Sequence, residues 1–146
     1  MTAGGAPVYL DPKLAVAVII ADERGILLQQ RAMDPRRGFW TFPSGYVDRG
    51  EQVERAVERE IAEELGMTVR LTHLLGVYSE PENPVVLVVY TGEIPIDATP
   101  VIQEEEISAL GYFLPAELPP LAFAHDAMIV ADWQAFVRDG REVVPR

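Results

Sequence analysis

The chain has no cysteine. That excludes a disulfide scaffold and a thiolate metal site, and it leaves the cellular compartment open. No apolar run approaches the ~18 residues of a membrane-spanning helix. The first residues lack the basic-then-apolar pattern of a secretory leader. A soluble, cytoplasmic protein with no membrane partner is therefore the expectation. Basic residues are few beside acidic ones: 12 Lys and Arg against 23 Asp and Glu leave a net charge of −11. Such a balance argues against a basic face that grips a nucleic-acid backbone. It still admits a nucleotide-sized anion, provided that a metal and local arginines offset the field. No internal repeat or linker divides the sequence. Residues 1–146 thus read as one domain, long enough to bury a sizeable core, with residues 1–7 as a small, turn-prone, flexible lead.

What the chain does have is a glycine-rich stretch running into a helix loaded with carboxylates, Gly45 to Met67, GYVDRGEQVERAVEREIAEELGM. Val53, Val57, Ile61 and Leu65 recur every fourth residue and mark one apolar helical face. Gly66 suits a left-handed helix stop. A helix over Gln52–Leu65 follows. At roughly 100° per residue, Glu60 and Glu64 share a face beside the apolar stripe, with Glu63 next to them, so all three are expected at the edge of the core. Like charges at this spacing repel, and the helix C-terminus disfavours anions. Arg59 can reach Glu63 at i, i+4 and relieve part of the repulsion. A hard divalent cation, Mg²⁺ or Mn²⁺, would relieve more.

Elsewhere, Leu14–Ala21 and Val85–Thr91 are apolar, β-branched runs of the kind found in strands covered on both faces. Asp22–Gly25 reads as a turn, and Ile26–Gln30 as the hairpin partner of the first run. Val8–Leu10 fits a short edge strand, Phe39–Phe42 a strand, and Thr68–Ser79 one or two strands with a bulge at Gly76. Ile107–Leu114 fits another strand. Phe123–Asp139 fits a C-terminal helix that stops at Gly140. His73, a lone histidine in a strand, reads as structural.

Gly45, five residues, Glu51, seven residues, then Arg59-Glu60-Ile61-Ala62-Glu63-Glu64-Leu65-Gly66-Met67 resembles the box of the Nudix hydrolase family at all nine specified positions. Ser44 stands where many members have a first glycine. The resemblance implies an α/β/α sandwich with a mixed central sheet. It also implies metal-dependent hydrolysis of a nucleoside diphosphate linked to another group. Glu60 and Glu64 become the leading metal ligands, Glu63 a further ligand or a water orienter, and the Gly45 carbonyl a completing ligand. Glu51 and Arg59 look like the family's supporting pair. The general base is expected outside the box. Glu106 is favoured over Glu104 and Glu105, a triplet that equally reads as a charged loop, and Glu80 and Glu82 are the other candidates.

The lead-in Gly38 to Tyr46 is similar to members acting on ADP-ribose and FAD, which makes such a dinucleotide the favoured substrate. A MutT-like triphosphatase and a non-catalytic nucleotide sensor stand as alternatives. Arg31, Arg36 and Arg37 read either as surface charge or as phosphate contacts, because the guanidinium fork matches phosphate oxygens. Trp40 reads as a core or rim residue or as a stacking surface for a base. The sequence leaves the oligomeric state open, with a homodimer through sheet edges or Val8–Leu10 as one arrangement.

Overall fold

The computed structural model describes residues 11–142. The expected flexible lead and the edge strand at Val8–Leu10 lie outside them. The two apolar runs form the centre of the sheet. Strand β1 (Lys13–Asp22) pairs in parallel with a later strand, Val85–Glu93, from Lys13 opposite Val85 to Ile20 opposite Gly92. Side chains of β1 alternate between two cores, as the period of a strand requires. Val16, Val18 and Ile20 meet Val57, Ile61 and Leu65 of helix α1 (Val53–Leu65). Ala15, Ala17 and Ile19 meet Ile129, Val130 and Trp133 of helix α2 (Asp126–Arg138). A seven-stranded mixed sheet thus lies between two helices, in agreement with the expected sandwich.

The sheet divides where the acids of α1 arrive. Strand β2 (Gly25–Arg31) pairs with β1 only at the hairpin end, Ala21 opposite Ile26 and Asp22 opposite Gly25. Beyond that point β2 runs between β3 (Trp40–Thr41) and the strand Ile107–Phe113. The edge of β1 so vacated is taken by β4 (Ser44–Tyr46), with Ala15 opposite Tyr46 and Ala17 opposite Ser44. An unpaired stretch of buried β1 backbone needs hydrogen-bond partners, and this segment supplies them.

In chain order β5 is Arg70–Tyr78, β6 Val85–Glu93 and β7 Ile107–Phe113. Thr68–Ser79 therefore gives one strand. Its register shifts between Leu71 and His73 and again between Leu74 and Gly76, the glycine expected at a bulge. His73 is structural, with its ring edge-on to Phe136 at 5.3 Å. Helix α2 starts three residues later than the sequence pattern indicates, because the Asp126 carboxylate accepts the Phe123 N–H at 3.1 Å and closes a turn there.

Helix α1 ends as expected. Gly66 has φ 63°, and its N–H bonds Ala62 O. The two preceding carbonyls, which a helix end leaves without partners, are met by a strap that follows β6: Val101 N–H donates to Leu65 O at 2.9 Å and Gln103 N–H to Glu64 O at 3.0 Å. The aliphatic residue between the box acids, Ile61, is 1% exposed and packs in the α1 core. Ile61→Ala is expected to cost about 2–5 kcal/mol in urea unfolding. A loss under about 1 kcal/mol would show that this core collapses around the cavity.

Candidate active site

The site is assembled around Arg59. Its Nε and Nη2 donate to the two carboxylate oxygens of Glu51 at 2.8 and 3.0 Å. Its Nη1 donates to Glu60 at 2.8 Å and to Glu63 at 3.3 Å. Nη2 also donates to the Tyr46 carbonyl at 2.9 Å, which ties the end of β4 to α1. Glu51 in turn accepts the Asp48 N–H at 3.0 Å. These bonds, the Arg59 fork first, hold the Glu51 carboxyl down at about 2. Glu51 is therefore a fixed anion.

Glu60 and Glu64 lie in different surroundings. Burial raises the Glu60 carboxyl, with the Arg59 bond opposing it. Burial pushes Glu64 further, to about 8, and the charges of Glu60 and Glu106 add to this; hydrogen bonds from the Gln29 side chain and the Ser44 backbone pull the other way. Glu64 is 6% exposed, and its Oε1 is buried without any donor. A methyl group at Gly45 would overlap the Glu60 carboxyl carbon and both its oxygens, so β4 can approach α1 this closely only with glycine at this position. Glu63 departs from the expectation. Its side chain is 60% exposed and leans on Arg59, because it lies on the outer flank of the helix, away from β4.

Among the described residues, no three His, Cys, Asp or Glu side chains converge closely enough to hold a metal ion as they stand. The reason is local: the guanidinium of Arg59 already occupies Glu60. The donor set nevertheless fits a hard cation. It offers carboxylate oxygens only, one of them buried and donor-free, and Arg59 can release Glu60 while still held by Glu51.

Gly45 also borders a cleft of about 390 Å³, lined further by Arg31, Tyr46, Phe123, His125 and Asp126. Of the expected phosphate contacts, Arg31 alone lines this cleft. Arg36 donates to Ala122 O at 2.8 Å and covers the Phe39 ring. Arg37 is exposed, 3.9 Å from Asp34. Trp40 packs edge-on against Phe113 at 4.9 Å, the rim role its sequence context allowed. The five expected bases are all exposed; among them the charge of Glu106 bears on Glu60 and Glu64, and Glu80 lies 3.9 Å from His125.

Sequence reasoning missed Gln29, Thr41 and Asp126. Asp126 is 1% exposed, accepts Thr41 Oγ1 at 3.1 Å, and is pushed up to about 6 by burial. The signal for it was an acid at the head of an apolar helix, which reads more simply as a cap. A second hollow of about 440 Å³, between the β1–β2 turn, the strap and Tyr112, contains no box residue.

The family model described as the NUDIX domain matches residues 11–133. An ADP-ribose pyrophosphatase of Methanocaldococcus jannaschii is 38% identical over 128 residues, covering 83% of this chain and 73% of that protein. A NAD-capped RNA hydrolase of Pseudomonas aeruginosa is 32% identical over 114 residues, covering 75% of this chain and 40% of that protein. Matches to several other curated relatives also span less than half of their length. The crystal structure of a MutT NUDIX hydrolase from Burkholderia pseudomallei superposes with a TM-score of 0.75 at 30% identity, covering 84% of this chain and 98% of that one. The chain belongs to the Nudix family and is a hydrolase of the pyrophosphatase kind. Members of this family act on small nucleotide substrates and generally use divalent metal ions.

Burial of Glu64 has a measurable consequence. The folded protein keeps this proton up to pH about 8, whereas the unfolded chain releases it near 4.5. Between those values the folded state binds more protons, so metal-free stability falls as pH rises through the window. Glu64→Gln is expected to raise the thermal midpoint in EDTA at pH 8 by an amount worth a few kcal/mol, and to change it little at pH 5. An equal effect at both pH values in thermal unfolding would contradict the assignment.

Proposed function

We propose that the chain hydrolyses the diphosphate bridge of a nucleoside diphosphate linked to a second group, with ADP-ribose or an FAD-like dinucleotide as the favoured substrate. The observation that carries this reading is the buried, donor-free oxygen of Glu64, on which the charges of Glu60 and Glu106 bear, next to a cleft that Gly45 borders. The relation to the M. jannaschii ADP-ribose pyrophosphatase supports the choice of substrate. Glu60 and Glu64, with Glu63 and the Gly45 carbonyl, would hold Mg²⁺ or Mn²⁺. Such an ion neutralises charge on phosphate oxygens and lowers the pKa of water.

The chain's own residues have distinct tasks. Arg31 binds phosphate oxygens from the wall of the cleft. The cleft takes the nucleoside end, with the Phe123 ring offering an apolar face and Asp126 a polar contact. Glu106 accepts a proton from the attacking water. The new bond joins that water oxygen to one phosphorus, and the bond from this phosphorus to the bridging oxygen breaks, giving a nucleoside monophosphate and a second phosphate ester. Arg59 and Glu51 hold β4 and α1 together so that these groups keep their spacing. A MutT-like triphosphate pyrophosphohydrolase is the second reading, supported by the match to the B. pseudomallei structure.

A panel of ADP-ribose, FAD, NADH, a diadenosine polyphosphate and normal and oxidised dNTPs, run with Mg²⁺, Mn²⁺ or EDTA and read by product mass, tests this. Metal-dependent release of AMP from ADP-ribose or FAD is expected. Pyrophosphate from a dNTP would move the chain to the second reading, and tight binding without turnover would make it a sensor. In the same assay Glu106→Gln is expected to lower kcat by about 10²–10⁴-fold. Unchanged kcat would remove Glu106 from its role as base.

A further inference from the structure

Three buried side-chain oxygens among the described residues have no hydrogen-bond donor, and two of them are the Oε1 atoms of Glu64 and Gln29. Both residues are 6% exposed. Gln29 lies on β2, opposite Thr41 on one side and Leu110 on the other, in the stretch where β2 has parted from β1. Its side chain lies in polar contact with Glu64 and draws that carboxyl down. Once Glu64 gives up its proton to a cation its carboxylate only accepts, so the Gln29 amide N–H is then the donor, and the carbonyl oxygen is left as a second acceptor.

Packing does not account for this residue. Ile26, Leu27 and Leu28 before it are apolar and buried, and a leucine would fill the position without stranding a polar atom. A buried carbonyl with no partner costs about 1–3 kcal/mol. The charges that bear on Glu64, those of Glu60 and Glu106, are both negative. With Glu64 ionised, an electropositive occupant answers both orphaned oxygens in such a field.

We propose that Gln29 is a positioning residue of the divalent-cation site: its amide nitrogen fixes the Glu64 carboxylate, and its carbonyl contributes a neutral oxygen to the ion's surroundings. The inference rests on the cation site proposed above. It explains why a buried amide stands in an apolar strand. It also divides the site between the two parts of the sheet, with Glu60 and Glu64 on α1 against β4 and Gln29 on β2.

The test is calorimetric titration of the full chain with Mn²⁺, alongside thermal unfolding in EDTA, for wild type, Gln29→Leu and Gln29→Glu. Gln29→Leu is expected to bind Mn²⁺ about 10–100-fold more weakly, the usual effect of losing a group that orients a ligand, with no loss of metal-free stability. Gln29→Glu keeps an oxygen at the position and is expected to bind at least as tightly as wild type, while unfolding at lower temperature in EDTA at pH 8 through added repulsion. Should Gln29→Leu not fold, Gln29→Met provides the same comparison with a side chain of closer shape. Wild-type Mn²⁺ affinity in the Leu or Met variant overturns the assignment of Gln29. Absence of Mn²⁺ binding by wild type overturns the cation site itself, an outcome distinct from the first.

Discussion

One guanidinium governs the geometry of this protein. Arg59 spans Glu51, Glu60, Glu63 and the Tyr46 carbonyl, and so joins a loop, a strand and a helix that would otherwise repel one another through their acids. Its fork makes two parallel bonds to Glu51 while a further nitrogen remains for Glu60, which a lysine ammonium cannot match. The spacing of Glu51 and Arg59 in the sequence becomes physical here: the loop after β4 has to return to the helix at the residue just before Glu60, the acid that faces β4. Gly45 completes the constraint, since only a residue without a side chain lets the strand lie against Glu60.

The acids brought together in this way do not share one chemistry. Glu51, wrapped by donors, stays ionised far below neutrality, whereas Glu64, buried among other carboxylates, holds its proton to about pH 8. Two glutamates of the same motif are thus driven apart by surroundings alone, one a permanent counter-charge and the other a neutral acid near neutrality. The strap after β6 keeps the second of these in place, since its N–H groups take the carbonyls of Glu64 and Leu65, and it leads on to Glu106, whose charge bears on Glu64.

Much of this was legible in the sequence. Helix α1 and its glycine stop follow from a four-residue apolar period and one residue without Cβ, and β1 and β6 follow from continuous apolar runs. The shared face of Glu60 and Glu64 follows from the angle per residue. That angle also put Glu63 at the core's edge, which failed because angular nearness says nothing of which flank β4 covers. The unforeseen parts all depend on residues far apart in the chain. Thr41 and Asp126 bond across 85 positions, and Gln29 meets Glu64 from another strand. The strand at Ser44 to Tyr46 exists because β1 and β2 part company, a tertiary event with no local signature.

The two-sided burial of β1 has a bearing on how its register is encoded. In most strands, alternation of polar and apolar residues says which face is which, but β1 is apolar on both. From Ala15 to Val18 what alternates instead is volume, before Ile19 and Ile20 fill both sides alike. Ala15 and Ala17 lie towards Trp133 and Ile129, whereas Val16, Val18 and Ile20 lie towards Val57 and Ile61. A slip of one residue would force branched side chains under the indole and leave alanine-sized gaps beneath α1. The strand is therefore keyed by size, as a lock is by the depth of its cuts, and single substitutions between alanine and valine along it alter the uniqueness of the fold as well as its stability.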